Sequence, residues 1–283
     1  MDELEILEYV NKNSKYVSVN KEKIIPFLNS IENVKYHYWL DREKIGFSEK
    51  EFIIFAFICE TMNFCFWGNR NWKVYYAGKE YIGSEALFYA ILKEIKLNNV
   101  FLEIDSLKNV SKSYFKKILS SKGELPILMS KRFKLFKETV RIIEKKKNKF
   151  FDEIFSIKTD KELLEYIISN FKHFDDKSKF KGKVIHFNKK ATLLVNDLFH
   201  GSETIRKNIK TVKNLSAGAD YAIPKILKDK NILVYDKKLL NIINKKKMIY
   251  HNSRMEIEIR ANTLYVLELM KKNYSRIIFV LKQ

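Results

Sequence analysis

Only 3 prolines and 8 glycines punctuate the 283 residues, so long stretches contain nothing that breaks a helix. Within those stretches apolar residues recur at i, i+3 and i+4, the period of a helix that buries one face. The pattern predicts helices over Glu3–Asn11, Lys21–Glu32, Ser48–Thr61, Ser84–Leu97, Ser111–Ser120, Ser130–Lys147, Lys161–Asn170, Lys189–His200, Pro224–Lys228, Lys237–Lys245 and Met255–Lys272. Ser48 followed by Glu51 is a capping-box spacing, in which each side chain satisfies an orphan backbone donor of the first turn. Strand signals are sparse. Trp72–Tyr76 and Glu80–Ile82 predict a small hairpin around Ala77–Lys79, and Ile277–Leu281 predicts a short strand. Ser121–Leu125 and Phe174–Lys183 read as loops. The expected fold is mainly α, a single domain over residues 1–283 with room for two lobes around a cleft, and with at most a small β-hairpin.

The formal charge of +20 raises the local concentration of anions, whether nucleotides, nucleic acid or acidic lipid. The lysines are spread along the whole chain rather than gathered in a tail. A weakly selective basic surface, with weak nucleic-acid binding, is therefore expected ahead of a dedicated groove. No apolar run approaches the roughly 20 residues that cross a bilayer, so no membrane partner is expected. The acidic, amphipathic start MDELEILEYV differs from a secretory signal, and Cys59 and Cys65 are too few for a disulfide framework. These features predict a cytosolic protein.

Several constellations bear chemistry. Asn63-Phe64-Cys65-Phe66-Trp67 sets three aromatics in four residues at the end of a predicted helix; such rings stack on flat heterocycles, but ordinary core packing explains them as well. Lys189 and Lys190 stand at a helix start, where the macrodipole disfavours cations unless an anion compensates. Ala217-Gly218-Ala219-Asp220-Tyr221 surrounds one acid with little bulk ahead of Pro224. Asp220 reads equally as a catalytic carboxylate or as a helix cap. Glu256 and Arg260 are spaced i, i+4 for a surface ion pair. The five histidines, His37, His173, His186, His200 and His251, show no metal-ligand spacing, and P-loop, GxGxxG and GxSxG patterns are absent. No metal or cofactor is expected.

In order and spacing, NFCFW at Asn63–Trp67, FKGKVIHFNKKATLLVNDLF at Phe180–Phe199, ADYAIPKIL at Ala219–Leu227 and EIEIRANTLYVLEL at Glu256–Leu269 resemble the queuosine salvage family. The resemblance runs from about Val17 to about Glu268 and is patchy between Val100 and Lys172. It implies a helical scaffold related to helix-hairpin-helix DNA glycosylases, and hydrolysis of queuosine 5′-monophosphate to free queuine for tRNA modification. Asp220 would then be the catalytic residue, with His37 and the aromatic cluster at the base pocket. Lys189 is the candidate phosphate contact by its charge and placement. The same motifs make Phe64, Phe66, Trp67, Lys190, Asp197, Tyr221, Glu258 and Arg260 candidate substrate contacts. The pattern departs from the family at Gly218, where an aromatic is usual, and in lacking an Asp or Trp after Asp236. The resemblance therefore implies the sugar-phosphate chemistry more fully than the choice of base. The same scaffold acting on another nucleotide, or a glycosylase-like protein that binds nucleic acid, are the alternative readings.

Overall fold

The computed structural model describes residues 2–31, 45–66, 72–98, 101–212, 215 and 222–273. They fall into two compact units, one within Met1–Tyr38, Asp175–Thr192 and Asn214–Gln283, the other within Trp39–Phe174 and Leu193–Lys213. Both are mainly helical, as the scarcity of breakers predicts.

In the first unit, α1 (Glu3–Asn13) is followed by β1 (Val17–Val19), a 3-10 turn (Lys21–Lys23) and α2 (Ile24–Ile31). Pro26 lies in the first turn of α2, where its missing N–H is not needed. After the second unit come β4 (Lys177–Phe180), β5 (Lys183–His186), the start of α10 (Lys189–Gly201), α12 (Ala222–Asp229), β6 (Leu233–Tyr235), α13 (Lys237–Asn244) and α14 (Arg254–Asn273). The core gathers Leu7 and Val10 of α1, Leu227 of α12, Leu233 of β6 and Ala261, Leu264 and Leu267 of α14, all essentially inaccessible to solvent. From Ala261 to Leu267 every residue of α14 is buried, polar Asn262 and Thr263 included. Within it Thr263 Oγ1 donates to the Ile259 carbonyl at 2.7 Å, and Asn262 Nδ2 donates to the Glu258 carbonyl at 2.7 Å and to Ser14 Oγ of the segment after α1 at 2.9 Å.

The second unit is built round α3 (Glu49–Met62), in which every residue from Phe52 to Met62 is buried. Ser48 caps it as the spacing predicts: Ser48 Oγ accepts from the Glu51 amide at 3.3 Å, and the Ser48 amide donates to Glu51 Oε2 at 2.8 Å. Phe57 meets Phe150 and Phe171 with ring centroids 5.2 and 4.9 Å apart. Around α3 lie α4 (Gly83–Leu97), α5 (Ile104–Asn109), α6 (Lys112–Leu119), α7 (Met129–Lys146), α8 (Asn148–Ser156), α9 (Asp160–Asn170), the rest of α10 and α11 (Glu203–Ile209). Helix packing here leaves no slack at Gly201, where an added Cβ would fall 1.9 Å from Phe52 Cε1.

The strands correct two expectations. The predicted hairpin exists as β2 (Lys73–Tyr76) paired antiparallel with β3 (Lys79–Ile82). However, Phe174–Lys183 is not a loop, and the β content exceeds one hairpin. A second hairpin pairs Lys177 with His186 and Phe180 with Lys183, and β1 pairs antiparallel with β6. In the second hairpin Ser178 and Phe180 are buried while Lys177 and Lys179 are exposed, the alternation of a half-buried strand. Its two-residue turn, Lys181-Gly182, has positive φ at both positions, which the glycine permits. Ile277–Leu281 lies outside the described residues, as do Gly218 and most of the turn that contains it.

Candidate functional site

Asp220, His37, Trp67 and Tyr221 lie outside the described residues. The remaining candidates divide between the units. Phe64, Phe66 and Asp197 belong to the second, and Lys189, Lys190, Glu258 and Arg260 to the first.

The aromatic loop begins where α3 ends. Asn63 is buried, and its Nδ2 donates to both oxygens of the buried Glu60 carboxylate at 3.0 and 3.1 Å. Cys65 takes a left-handed conformation (φ 52°). Beneath the loop is Arg132 of α7, wholly buried. Its Nε donates to the Ile127 carbonyl at 3.0 Å, Nη1 to the Met62 carbonyl, and Nη2 to the carbonyls of Phe64 and Cys65, the last at 3.0 Å. The guanidinium carbon sits 4.5 Å from the Phe64 ring centroid and 4.7 Å from that of Phe66. Phe66 also stacks on Trp72 at 5.9 Å with planes 9° apart, and the Trp72 indole donates to the Leu119 carbonyl at 2.8 Å. Phe64 and Phe66 remain half-buried. They are neither a simple core plug nor loose surface rings.

Asp197 is buried on α10. Burial first, then the carboxylates of Glu60 and Asp197, push the Cys59 thiol well above its ordinary value, so Cys59 is an inert packing residue. His173 is likewise a core histidine. Its Nε2 lies 3.2 Å from the hydroxyls of both Thr61 and Thr139.

In the first unit α10 starts with half-buried Lys189 and Lys190, directly after Asn188. Asn188 holds the cap position: its carbonyl accepts the first helical bond, from the Thr192 amide, at 2.9 Å. Asp176 grips this entry. Its carbonyl accepts from the amides of Phe187 and Asn188 at 2.7 and 3.1 Å, and its own amide donates to Asn188 Oδ1 at 3.2 Å. Arg260 in turn grips Asp176 through Nη1 and Nη2, pairs with Glu256 at 3.2 Å, and lies 3.9 Å over the Phe187 ring. The Glu256–Arg260 pair thus forms as its spacing predicts. Glu258 is fully buried: its Oε2 accepts from the amides of Lys15 and Tyr16 at 2.9 and 2.6 Å, and Oε1 from Arg254 Nε at 2.7 Å. These contacts give Glu258 and Arg260 structural work within their own unit.

Sequence reasoning missed Arg132 and Asp176. Arg132 sits in a run of scattered basic residues and leaves no local mark. Asp176 stands two residues before Ser178 in the misread hairpin, and the Lys-x-Lys alternation ending at Gly182 was its available signal. An open pocket of about 530 Å³ lies on that hairpin, lined by Lys177, Ser178, Lys179, Val184, His186, Asn252 and Ile257, and contains none of the candidate residues. Among the described residues no group of three or more His, Cys, Asp or Glu side chains comes together as a metal site, and no helix is long and apolar enough to cross a membrane.

Comparison with known proteins adds a consistent result. The family model described as queuosine salvage protein matches residues 36–279. Proteins named queuosine 5′-phosphate N-glycosylase/hydrolase are similar to the chain. The one from Sphaerobacter thermophilus is 29% identical over 223 residues, covering 77% of this chain and 68% of that protein. The one from Bos taurus is 28% identical over 223 residues, covering 76% and 65% respectively. The one from Nematostella vectensis is 28% identical over 278 residues, covering 92% and 79%. The chain thus spans about two thirds of the length of the first two.

Proposed function

The chain belongs to the queuosine salvage protein family, and from that membership we propose that it hydrolyses queuosine 5′-monophosphate, releasing queuine for reuse in tRNA modification. The observation that carries this reading is the extent of the family match, which runs through all four sequence markers from Asn63–Trp67 to Glu256–Leu269.

In the reaction the bond between ribose C1′ and the base nitrogen breaks, and its electron pair leaves with the base. Water adds to C1′ and supplies the proton that the departing nitrogen needs, giving queuine and ribose 5-phosphate. Positive charge develops on the sugar ring in the transition state, and the Asp220 carboxylate offsets it and orients the water. A 7-deazapurine has carbon in place of N7, so protonation there cannot assist departure. Polar contacts at the other edges of the base must help, and His37, Trp67, Tyr221 and Asp197 are the candidates. Phe64 and Phe66 supply flat apolar surface for the base. Lys189 and Lys190, at the start of α10, face the 5′-phosphate, where backbone donors and the helix dipole add to their charge. Glu258 and Arg260 serve this scheme by holding the scaffold. We read that scaffold as related to helix-hairpin-helix DNA glycosylases, and the protein as cytosolic.

The exposed Lys177 and Lys179 of the β4–β5 hairpin, beside an open pocket, support weak, salt-sensitive attraction to nucleic acid as a second property. The deciding experiment is a chromatographic assay of the purified protein with queuosine 5′-monophosphate, unphosphorylated queuosine and GMP. Queuine release that falls at least about a hundredfold in Asp220→Ala, with folding intact, supports the assignment. Release from GMP instead, as Gly218 would allow, favours another base, and no release from any substrate defeats the hydrolase reading.

A further inference from the structure

Arg132 is wholly buried and donates to four backbone carbonyls, and nothing in the family match accounts for it. A buried guanidinium is unfavourable unless its donors are satisfied, and apolar residues would fill the same space without that demand. Here the donors converge on one target. The carbonyls of Met62, Phe64 and Cys65 lie where α3 ends and Cys65 turns left-handed, and Arg132 donates to all three, sharing the Met62 carbonyl with the Phe64 amide at 2.9 Å. Its fourth contact, from Nε to the Ile127 carbonyl at 3.0 Å, fixes the plane of the group. A planar fork used edge-on leaves its faces for aromatic rings, and Phe64 and Phe66 lie 4.5 and 4.7 Å from its carbon. From the other side Asn63 ties the loop to Glu60 at 3.0 and 3.1 Å. Two side chains from two helices therefore hold four consecutive residues. Yet Phe64, Cys65 and Phe66 stay partly open to solvent. Rigid, partly exposed aromatic surface is poor core design and good recognition design, because a ligand then meets rings whose ordering is already complete.

We propose that Arg132 is a positioning residue for the base half of the substrate: it presets the Asn63–Phe66 loop so that its rings receive the heterocycle. This rests on the reading of the chain as a nucleotide N-glycosylase. Arg132 is wholly buried with its donors on backbone carbonyls, so this role does not extend to the sugar or its phosphate, and that separation makes it testable. Arg132→Lys keeps the charge but can neither span the carbonyls nor stack as a plane.

The experiment measures KM and kcat for queuosine 5′-monophosphate, together with competitive inhibition by ribose 5-phosphate, the product half that lacks a base. In Arg132→Lys we expect KM to rise at least about tenfold and kcat to stay within about threefold, with ribose 5-phosphate inhibition unchanged. A general loosening of the fold would weaken ribose 5-phosphate in parallel, and that result, or an unchanged KM, overturns the proposal. If Arg132→Lys is unfolded at the assay temperature, Phe64→Leu replaces it and must give the same KM-only signature; an unchanged KM there defeats the inference. Failure of the functional reading looks different. In that case the wild type releases no queuine, and binding of free 7-deazaguanine, followed by tryptophan fluorescence, decides the inference alone: it survives if wild type binds and Arg132→Lys binds at least about tenfold more weakly, and falls otherwise.

Discussion

Arg260 donates to both carboxylate oxygens of Asp176, 84 positions away in the chain, and so anchors the hairpin segment that leads into α10. The two side chains are 13% and 24% exposed, so water only partly screens them, and removing one partner strands the other. Arg260 also covers the Phe187 ring at 3.9 Å, which adds packing to the ion pair. Arg260→Ala is expected to lower the unfolding free energy by about 2 kcal/mol. Arg260→Lys should recover less than half, since an ammonium cannot match the bidentate geometry. Urea unfolding with an unchanged slope measures both, and a loss below about 0.5 kcal/mol would show the clamp to be dispensable.

Glu258 makes a sharper case because it is wholly buried. One oxygen serves two backbone amides and the other serves Arg254. Glu258→Ala leaves those two amides without their acceptor, at about 3 kcal/mol by thermal or urea unfolding. Glu258→Gln can keep its single oxygen toward the amides and lose mainly the Arg254 contact, so about half that loss is expected. Equal losses in the two variants would mean that the charge, not the amide bonds, is what matters.

Much of this was legible locally. The Ser48–Glu51 box and the apolar run behind it specify α3, and the β2–β3 hairpin announces its turn. The misread hairpin shows how a signal is lost: Lys177, Lys179, Lys181 and Lys183 made the segment look like a charged loop, although burial of Ser178 and Phe180 is what fixes its register. The pairing of Val17–Val19 with Leu233–Tyr235 has no local mark, because three residues carry little pattern and the partner is over two hundred positions away. Helices α5, α8 and α11 are short and depend on tertiary packing more than on their own propensity. At the candidate site the division is the same. The aromatic motif was visible, whereas Arg132 and the Asp176–Arg260 pair exist only once distant segments meet.

Glu49 predicts an acid-sensitive contact. Its carboxylate accepts from the Thr204 amide at 2.9 Å, the Thr204 hydroxyl at 2.7 Å and the Ser202 hydroxyl at 3.3 Å. Burial alone would raise its pKa, but those bonds together with the Glu203 amide outweigh burial and hold it below the ordinary glutamate value. A carboxyl whose folded pKa is lowered stabilises the fold above its unfolded pKa and loses that contribution as the pH falls through the folded value. The difference in melting temperature between wild type and Glu49→Gln should therefore be full at neutral pH and shrink below about pH 4.5. A difference that stays constant down to pH 3 would assign the effect to hydrogen-bond shape and not to charge.

The start of α10 offers the cleanest division of substrate contacts. Lys189 and Lys190 stand half-buried on a helix entry whose backbone Asn188 and Asp176 fix, so the folded state of each variant is checked by its melting temperature beside the kinetics. If they face a 5′-phosphate, each removes a charge-assisted contact present in the bound state whether or not the bond has begun to break, so KM rises and kcat is retained. Lys189→Gln is expected to raise KM for queuosine 5′-monophosphate by about tenfold, the double replacement by more, and both should leave the rate with unphosphorylated queuosine unchanged. The comparison is internal: a phosphate contact weakens only the phosphorylated substrate, a general electrostatic effect of the +20 surface weakens with added salt, and a structural defect slows both substrates together. Equal effects on the two substrates would remove both lysines from the site and leave the phosphate to be held elsewhere.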